Sequence, residues 1–499
     1  MWTWLVVWSG LGGAVLAFCP NGCKCNDQVP SAGCVGVGLT VLPILLNPRL
    51  RHLNMAHNLI SSISQSLEFF KQLVELDLSH NLLTSLGTRN LNEQHQLQEL
   101  RLAYNNLTHL EPGALRGLHS LNILDLSHNG LKDLPAGVLD DAPRLGVLLL
   151  AHNSLHQLPQ HTFRSLPSLH TLDLCNNYFR VVPTAALDYL YNIKSLLLCH
   201  NRLTHLDSHA FTTRELISLS LEANKIDLVA SDAFQHLQKL KMLTLNDNML
   251  GTVPVIPRSL DSLVLDKNNL TTITPETLQG VERLSTLDIS YCPHLSRLHP
   301  DTFHNCLNLQ RLTISHNPLL RHLPHGLLRS LPRLNRLDLS GNGLKTVSKA
   351  SLPMASLQYL DLRDNLLVCN CSLRWLASVL AGVNTSLVSP DVQCSAPPKL
   401  KGLFLSRLRG SGLVCGWQGQ VVAGSVVVVC CVMLLATLTL LLCRYQRRQK
   451  REKLGRGWPP GPLAPWPPDH HSAPTRHIMA DEYLYHTCSS ITKIPVTEV

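Results

Sequence analysis

The sequence lacks the short motifs that mark common enzyme classes. It contains no G-x-S-x-G, no G-x-x-x-x-G-K-[ST], no H-E-x-x-H and no complete G-x-G-x-x-G, which are the patterns of nucleophilic, phosphate-binding, zinc and dinucleotide sites. No set of His and Cys residues completes a zinc pattern around its first cysteines either. We therefore expect no enzyme activity, no cofactor and no metal site.

A strong charge imbalance is also missing from most of the chain. Of the 43 Lys/Arg and 34 Asp/Glu, 9 and 5 follow Cys443, so the preceding part carries 34 and 29, a net charge of +5. This near balance argues against nucleic acid as a partner. The 56 residues after Cys443 are too few and too polar for a kinase or for a folded signalling domain such as that of Toll-like receptors.

What the sequence does contain is a repeat. The pattern L-x-x-L-x-L-x-x-N-x-L recurs about fourteen times from Leu50 to Leu367, most clearly in Leu73–Leu83 and Leu121–Leu131. Successive position-nine residues are 23 to 25 apart, except for one step of 20. They are Asn58, Asn81, Asn105, Asn129, Asn153, Asn177, Asn201, Asn224, Asn248, Asn268, Cys292, Asn317, Asn342 and Asn365. So regular a period indicates a leucine-rich repeat solenoid.

The alternation within each repeat predicts a short strand whose leucines at positions four and six point to the core. Stacked copies form a curved parallel sheet on the concave face, an α/β repeat fold, with the position-nine amides bonding the turn backbone. The short step between Asn248 and Asn268 predicts a local change in curvature, which either divides the binding surface or has no effect. Cys292 and Cys306 replace core or ladder residues, so we expect buried thiols.

Cysteines flank the repeats at both ends. Met1–Ala17 reads as a secretory signal cut before Phe18, although it has no basic residue near its start. The spacing then runs C-x3-C-x-C-x8-C from Cys19, and C-x-C…C…C from Cys369 with Trp375 between. In a secreted chain such clusters are better read as disulfide-bonded lids on the exposed solenoid ends than as metal sites.

These flanking modules resemble those of extracellular leucine-rich repeat proteins over the whole stretch from Cys19 to Cys415. The layout is similar to that of single-pass transmembrane members, such as the Capricious/Tartan group and the leucine-rich repeat transmembrane neuronal proteins. The resemblance implies four disulfides, which join Cys19 to Cys25, Cys23 to Cys34, Cys369 to Cys394 and Cys371 to Cys415.

Two further cysteines, Cys175 and Cys199, occupy position seven of consecutive repeats. Neighbouring strands lie about 4.8 Å apart, within the range that a disulfide spans, but the direction of the Cβ atoms must also suit. The sequence leaves open a cross-strand disulfide and two free thiols.

Val421–Cys443 is an uncharged run long enough to cross a bilayer, and the basic residues that follow place the tail in the cytoplasm. We expect a type I single-pass protein of the plasma membrane with an extracellular N-terminus and a disordered, proline-rich tail. The C-terminus resembles a ligand for PDZ scaffolds, with Thr497 and Val499 as the contact residues. Glycan acceptor patterns begin at Asn106, Asn269 and Asn384.

A histidine precedes the ladder asparagine in many repeats, as in His57, His80, His128, His152, His200 and His316. We interpret these as solvated residues of a polar consensus position, with a pH sensor as the alternative. Positions three, five and seven are free of the core, and several in repeats five to ten are unusually apolar. The predicted ligand contacts are Val147, Leu149, Ala151, Thr171, Asp173, Ser195, Leu197, Met242 and Val264.

The predicted organisation follows from these boundaries. It comprises a signal peptide (1–17), an N-terminal cap (18–49), the repeat array (50–367), a C-terminal cap (368–416), a juxtamembrane segment (417–420), a transmembrane helix (421–443) and a cytoplasmic tail (444–499). We predict a recognition or adhesion receptor that binds an extracellular or cell-surface protein, with a homodimer also considered. The alternative is an innate-immune or growth-factor-type receptor subunit that captures a soluble ligand and signals through a co-receptor.

Overall fold

The computed structural model describes residues 18–63, 65–381, 387–408, 413 and 418–454. They fall in two units, residues 1–416 and 417–499. In the described part of the first unit, the strands are β1 Lys24–Asn26, β2 Ser31–Gly33, β3 His52–Asn54, β4 Glu75–Asp77, β5 Glu99–Arg101, β6 Ile123–Asp125, β7 Val147–Leu149, β8 Thr171–Asp173, β9 Ser195–Leu197, β10 His205–Leu206, β11 Ser218–Ser220, β12 Leu228–Val229, β13 Met242–Thr244, β14 Ser262–Val264, β15 Thr272–Ile273, β16 Thr286–Asp288, β17 Arg297–Leu298, β18 Arg311–Thr313, β19 Arg336–Asp338 and β20 Tyr359–Asp361.

Helical segments are few and short in that unit. Its α-helices are α1 Thr184–Leu187 and α2 Arg374–Leu380, within the described residues. Its 3-10 segments there are Gln65–Phe69, Pro275–Leu278, Lys349–Ser351, Cys371–Leu373, Pro398–Leu400 and Leu405–Arg407. The side of each repeat opposite the sheet is therefore made mainly of turns.

One sheet contains sixteen of the described strands, and each repeat contributes one of them in chain order. The pairs are parallel apart from the β1–β2 hairpin, and equivalent positions of neighbouring repeats face one another, as Leu124 faces Leu148. Two further parallel pairs, β10–β12 and β15–β17, lie outside this sheet. The predicted leucine-rich repeat solenoid is confirmed.

The core follows the consensus positions. Leu121, Leu124 and Leu126 of one repeat are fully buried, and Phe163 and Leu166 are buried on the turn side. Burying a leucine or phenylalanine side chain stabilises a fold by about 1.5–3 kcal/mol. Stacking supplies this burial because a three-residue strand cannot cover its own leucines.

The ladder asparagines bond the backbone as the repeat pattern predicts. Asn153 is typical: its amide nitrogen donates to the carbonyls of Leu126 (3.0 Å) and Leu150 (3.1 Å), and its oxygen accepts from the Leu131 N–H at 3.0 Å. One side chain thus joins two repeats. Cys292 and Cys306 are buried free thiols, and burial raises the pKa of Cys292 to about 11 and that of Cys306 to about 12.

Disulfides seal both ends. Cys19 joins Cys25, Cys23 joins Cys34, and Cys369 joins Cys394, as the resemblance implied. Cys371 is disulfide-bonded, but its expected partner Cys415 lies outside the described residues. The Trp375 indole N–H donates to the carbonyl of Val347 at 3.1 Å while its ring packs against the core.

The short repeat does not interrupt the sheet. β13 pairs with β14 in register, so Met242 faces Ser262 and Leu243 faces Leu263. The Leu250 N–H donates to the Asn268 side chain at 3.0 Å, which continues the ladder. This repeat is therefore four residues shorter than its neighbours on the turn side, and the sheet is continuous here.

The second unit contains one long helix in its described part, α3 Gln418–Leu454. Val426–Lys450 within it is long and apolar enough to cross a membrane. It overlaps the span predicted from the uncharged run and continues into the basic residues that follow.

Candidate ligand-binding face

The side chains at positions three, five and seven form the outer surface of the main sheet, here called the sheet face. Because the strands are in register, these positions form three rows across the repeats. Val147, Thr171 and Ser195 are consecutive in the position-three row, and Leu149, Asp173 and Leu197 in the position-five row. All six are partly exposed. The structure thus brings these predicted contact residues together on strands β7 to β9.

A disulfide lies beside them in the position-seven row. Cys175 and Cys199 are bonded, with Cα atoms 4.6 Å apart, which resolves the question that the sequence left open. Leu197 packs against this disulfide, and so does Ala151 from the preceding repeat. We call Leu149, Ala151, Leu197 and the disulfide the apolar patch.

Ala151 departs from the prediction in one respect. Its exposure is 9%, whereas position seven was expected to be free of packing. Small side chains at position seven are buried elsewhere too, since Ala103, between Ser79 and Ser127, is 6% exposed. Ala151 in addition packs against the neighbouring disulfide.

Asp173 is the charged group between the two leucines. Burial raises the pKa of its carboxyl group, and the Asp125 carboxylate adds to the shift. The N–H of Cys175 donates to it at 2.9 Å and, with His152, lowers the pKa in part. A half-buried carboxylate between aliphatic side chains offers one polar contact within an apolar surface.

Met242 and Val264 do not join this group. Met242 is 51% exposed and faces Ser218 and Ser262 on the neighbouring strands. In the position-five row, Ser220 and Thr244 separate Val264 from Leu197. The apolar surface predicted for repeats five to ten is concentrated in repeats five to seven.

The residues before the ladder asparagines form a feature that sequence reasoning missed. His57, His80, Tyr104, His128 and His152 stack ring on ring, with centroids 4.1, 4.2, 3.9 and 3.9 Å apart in chain order. All five have φ between 53° and 58°, the left-handed region. We call this row the ring stack. The sequence signal that could have predicted the ring stack is an aromatic ring at the same position in five consecutive repeats.

The remaining predicted sites divide by position. Asn106 and Asn269 are exposed, so both are accessible to a glycosyltransferase. Asn384, Thr497 and Val499 lie outside the described residues, and their roles stay predictions.

Comparison with known proteins agrees with the geometry. The leucine rich repeat family model matches residues 71–131, 95–155, 143–197, 191–250, 258–319 and 308–367. Oligodendrocyte-myelin glycoprotein of Mus musculus is 35% identical over 72 residues, which cover 14% of this chain and 16% of that protein. The human leucine-rich repeats and immunoglobulin-like domains protein 3 is 33% identical over 75 residues, 14% of this chain and 7% of that protein. The chain thus matches less than a fifth of the length of either relative.

Solved structures share the architecture over a longer stretch. That of TLR13 in complex with ssRNA13 is 28% identical with a TM-score of 0.64, covering 71% of this chain and 52% of that one. The LRIM1/APL1C complex is 20% identical with a TM-score of 0.58, covering 87% and 79%, and shows the fold alone. The repeats, their ladder and these matches lead to one conclusion: the chain belongs to the leucine-rich repeat family.

Proposed function

We propose that the protein is a type I cell-surface recognition receptor that binds a protein ligand through the sheet face of its repeat array. The observation that carries this proposal is the apolar patch. Partly exposed aliphatic side chains on a sheet face that is otherwise mostly polar or charged favour a contact with another protein. The role is one of binding rather than catalysis, as is usual for solenoids that present an extended surface.

The proposed topology depends on the two ends of the chain. Disulfides in both caps are typical of an oxidising, extracellular environment. The apolar segment of α3 ends in a cluster of arginines and lysines, which favours a cytoplasmic position for the following tail. Together these support an extracellular N-terminus and a single membrane crossing in the plasma membrane.

The proposed partners are an extracellular or cell-surface protein outside the cell and a PDZ scaffold inside it. Val499 would fill the apolar pocket of a PDZ domain, and Thr497 would hydrogen-bond beside it. Truncating the chain before Thr497 should abolish capture by PDZ domains and leave ligand binding unchanged.

The test of the sheet face begins with a screen of Phe18–Gln420 against cell-surface proteins. The double variant Leu149→Arg/Leu197→Arg is then compared with Thr313→Arg for each ligand found. Thr313 is at position five of a distant repeat and is also half-buried. We expect the double variant to lose at least about tenfold in affinity, because it places two charges in an apolar contact, while Thr313→Arg binds normally. Unchanged affinity of the double variant would place the ligand elsewhere.

A second candidate function is capture of a soluble ligand with signalling through a co-receptor. The likeness to TLR13, which is 28% identical and whose structure is a complex with ssRNA13, favours the capture of a separate ligand. An aggregation assay separates the two candidates, because cells that express a recognition protein cluster with one another or with partner cells. Cells that express a receptor for a soluble ligand stay dispersed.

A further inference from the structure

The ring stack is continuous and bounded. It contains four imidazoles and one phenol, and its ends are set by Gly36 and Asn176, which have φ of 66° and 53° at the equivalent turns of the neighbouring repeats. Within each adjacent pair, the planes of the two rings differ by only 9° to 13°. Adjacent rings are therefore in face-to-face contact over five repeats, and each imidazole has another ring within about one ring thickness.

The geometry points to an acid-sensitive element in the first five repeats, where stacked imidazoles would repel one another once an acidified compartment places protons on adjacent rings. Histidine changes charge between about pH 5 and 8. Protonation of neighbouring rings places positive charges roughly 4 Å apart, where they repel even in water. A stack of neutral rings thus becomes a row of like charges.

The sheet supplies the other charges that face the rings. The position-five side chains of the repeats around the stack are Asn54, Asp77, Arg101, Asp125, Leu149 and Asp173. Of these, the Asp125 carboxylate acts on His128 and the Asp173 carboxylate interacts with His152, while Arg101 is a cation paired with Glu99. The carboxylates of Asp77 and Asp125 already accept hydrogen bonds from serine hydroxyls at 2.6 Å. The carboxylates compensate the protonated stack only in part.

His128 shows this balance most clearly. Burial, followed by the His152 imidazole, holds the pKa of His128 below its ordinary value, and the Asp125 carboxylate offsets this shift only partly. A group whose pKa is lower in the folded than in the unfolded state contributes stability above its unfolded pKa and loses it as the pH falls. The expected window of loss therefore begins near pH 6.5 and extends below it.

The consequence is local opening. Each repeat of a solenoid contacts only its neighbours, so a charge repulsion confined to repeats one to five acts on those repeats. The stack also adjoins the apolar patch, because the backbone N–H of His152 donates to the backbone carbonyl of Cys175 at 2.9 Å. This element does not depend on which ligand the sheet face binds.

The test uses the full-length protein in detergent micelles. Hydrogen exchange is measured by mass spectrometry at about pH 7.5 and about pH 5.5, the range in which histidine titrates. The amide exchange rate is corrected for its intrinsic pH dependence. Its increase on going to acid pH should be about fivefold larger in repeats one to five than in repeats eight to ten. This factor corresponds to one pair of unit charges roughly 4 Å apart in water. Exchange at the histidine C2 position should show that the titration midpoint of His128 rises in His152→Asn, because a neighbouring positive charge is removed.

The chain offers a matched control. Asn176 shows that asparagine adopts the left-handed turn at this position, so His→Asn preserves the backbone. His128→Asn should remove the acid response around the His128–His152 contact in repeats four and five, whereas His200→Asn should leave it intact, because His200 lies between Asn176 and Ala223 at equivalent turns. An equal response in His128→Asn and the unmodified protein overturns the proposal. So does uniform acid opening across all repeats of the unmodified chain, a result that needs no variant to fold.

Discussion

Removing the disulfide between Cys175 and Cys199 is the sharpest perturbation of the apolar patch. The chain contains a template for the change, since Ser290 and Ser315 occupy the same position in two later repeats. Both serines are buried, and their hydroxyl oxygens are 3.0 Å apart. Cys175→Ser/Cys199→Ser should therefore fold, because the sheet already accommodates a serine pair in this register.

The expected loss follows from the length of the loop that the disulfide closes. The two cysteines are separated by 24 residues in sequence. Constraining the unfolded chain over such a loop stabilises the folded state by about 3.5 kcal/mol in the chain-entropy model. The serine pair retains a hydrogen bond worth about 1 kcal/mol, so we expect a net loss of about 2–3 kcal/mol.

Urea denaturation of the unmodified protein and the double-serine variant, without reductant, measures this difference. Ser290→Cys/Ser315→Cys is the matched converse, which should form a disulfide and raise the urea midpoint. A tryptic map of the unreduced protein checks the bond itself. A variant as stable as the parent, together with a map that contains no linked peptide, would refute the reasoning.

Three further predictions concern the ladder and the last strand. Asn177→Ala leaves the buried Leu155 N–H, now bonded at 2.9 Å, without its acceptor, and should lower the free energy of unfolding by about 2–4 kcal/mol. Cys292→Asn should raise the free energy of unfolding by about 1 kcal/mol, because it restores a ladder amide. Urea midpoints measure the change in both variants. Burial alone would raise the pKa of Asp361, but hydrogen bonds from Arg363 outweigh burial and lower it. That carboxylate therefore contributes stability above about pH 4 that is lost as the pH falls through its folded pKa. Arg363→Ala should flatten this acid loss in a pH series of thermal melts, and an unchanged slope would contradict the assignment.

Much of the fold is predictable because the repeat period determines it. The spacing of the position-nine residues fixes the register, and the register places every leucine at positions one, four and six in the core. The cap disulfides follow from the family resemblance rather than from spacing. Val147 and Leu149 are partly exposed at positions three and five, and their role as ligand contacts stays a prediction.

The candidate site could be predicted only in outline. A sequence gives the strand spacing at Cys175 and Cys199 but not the direction of their Cβ atoms, so the disulfide stayed undetermined. The ring stack depends on the left-handed turn of His128 and its equivalents, which turns each ring toward the next. Neither effect is contained in one repeat, because both arise from contacts between neighbouring repeats.

The ring stack and the disulfide have opposite effects at adjoining repeats. Opening in a solenoid propagates through nearest-neighbour contacts, so acid-induced repulsion in repeats one to five would otherwise extend along the array. The covalent bond between β8 and β9 holds the next two repeats together whatever the protonation state of His152. The apolar patch spans this boundary, since Leu149 lies on β7, before the bonded strands, and Leu197 lies on β9, which is one of them. A ligand that contacts both leucines would therefore lose one side of its contact in acid while the other side stays in place.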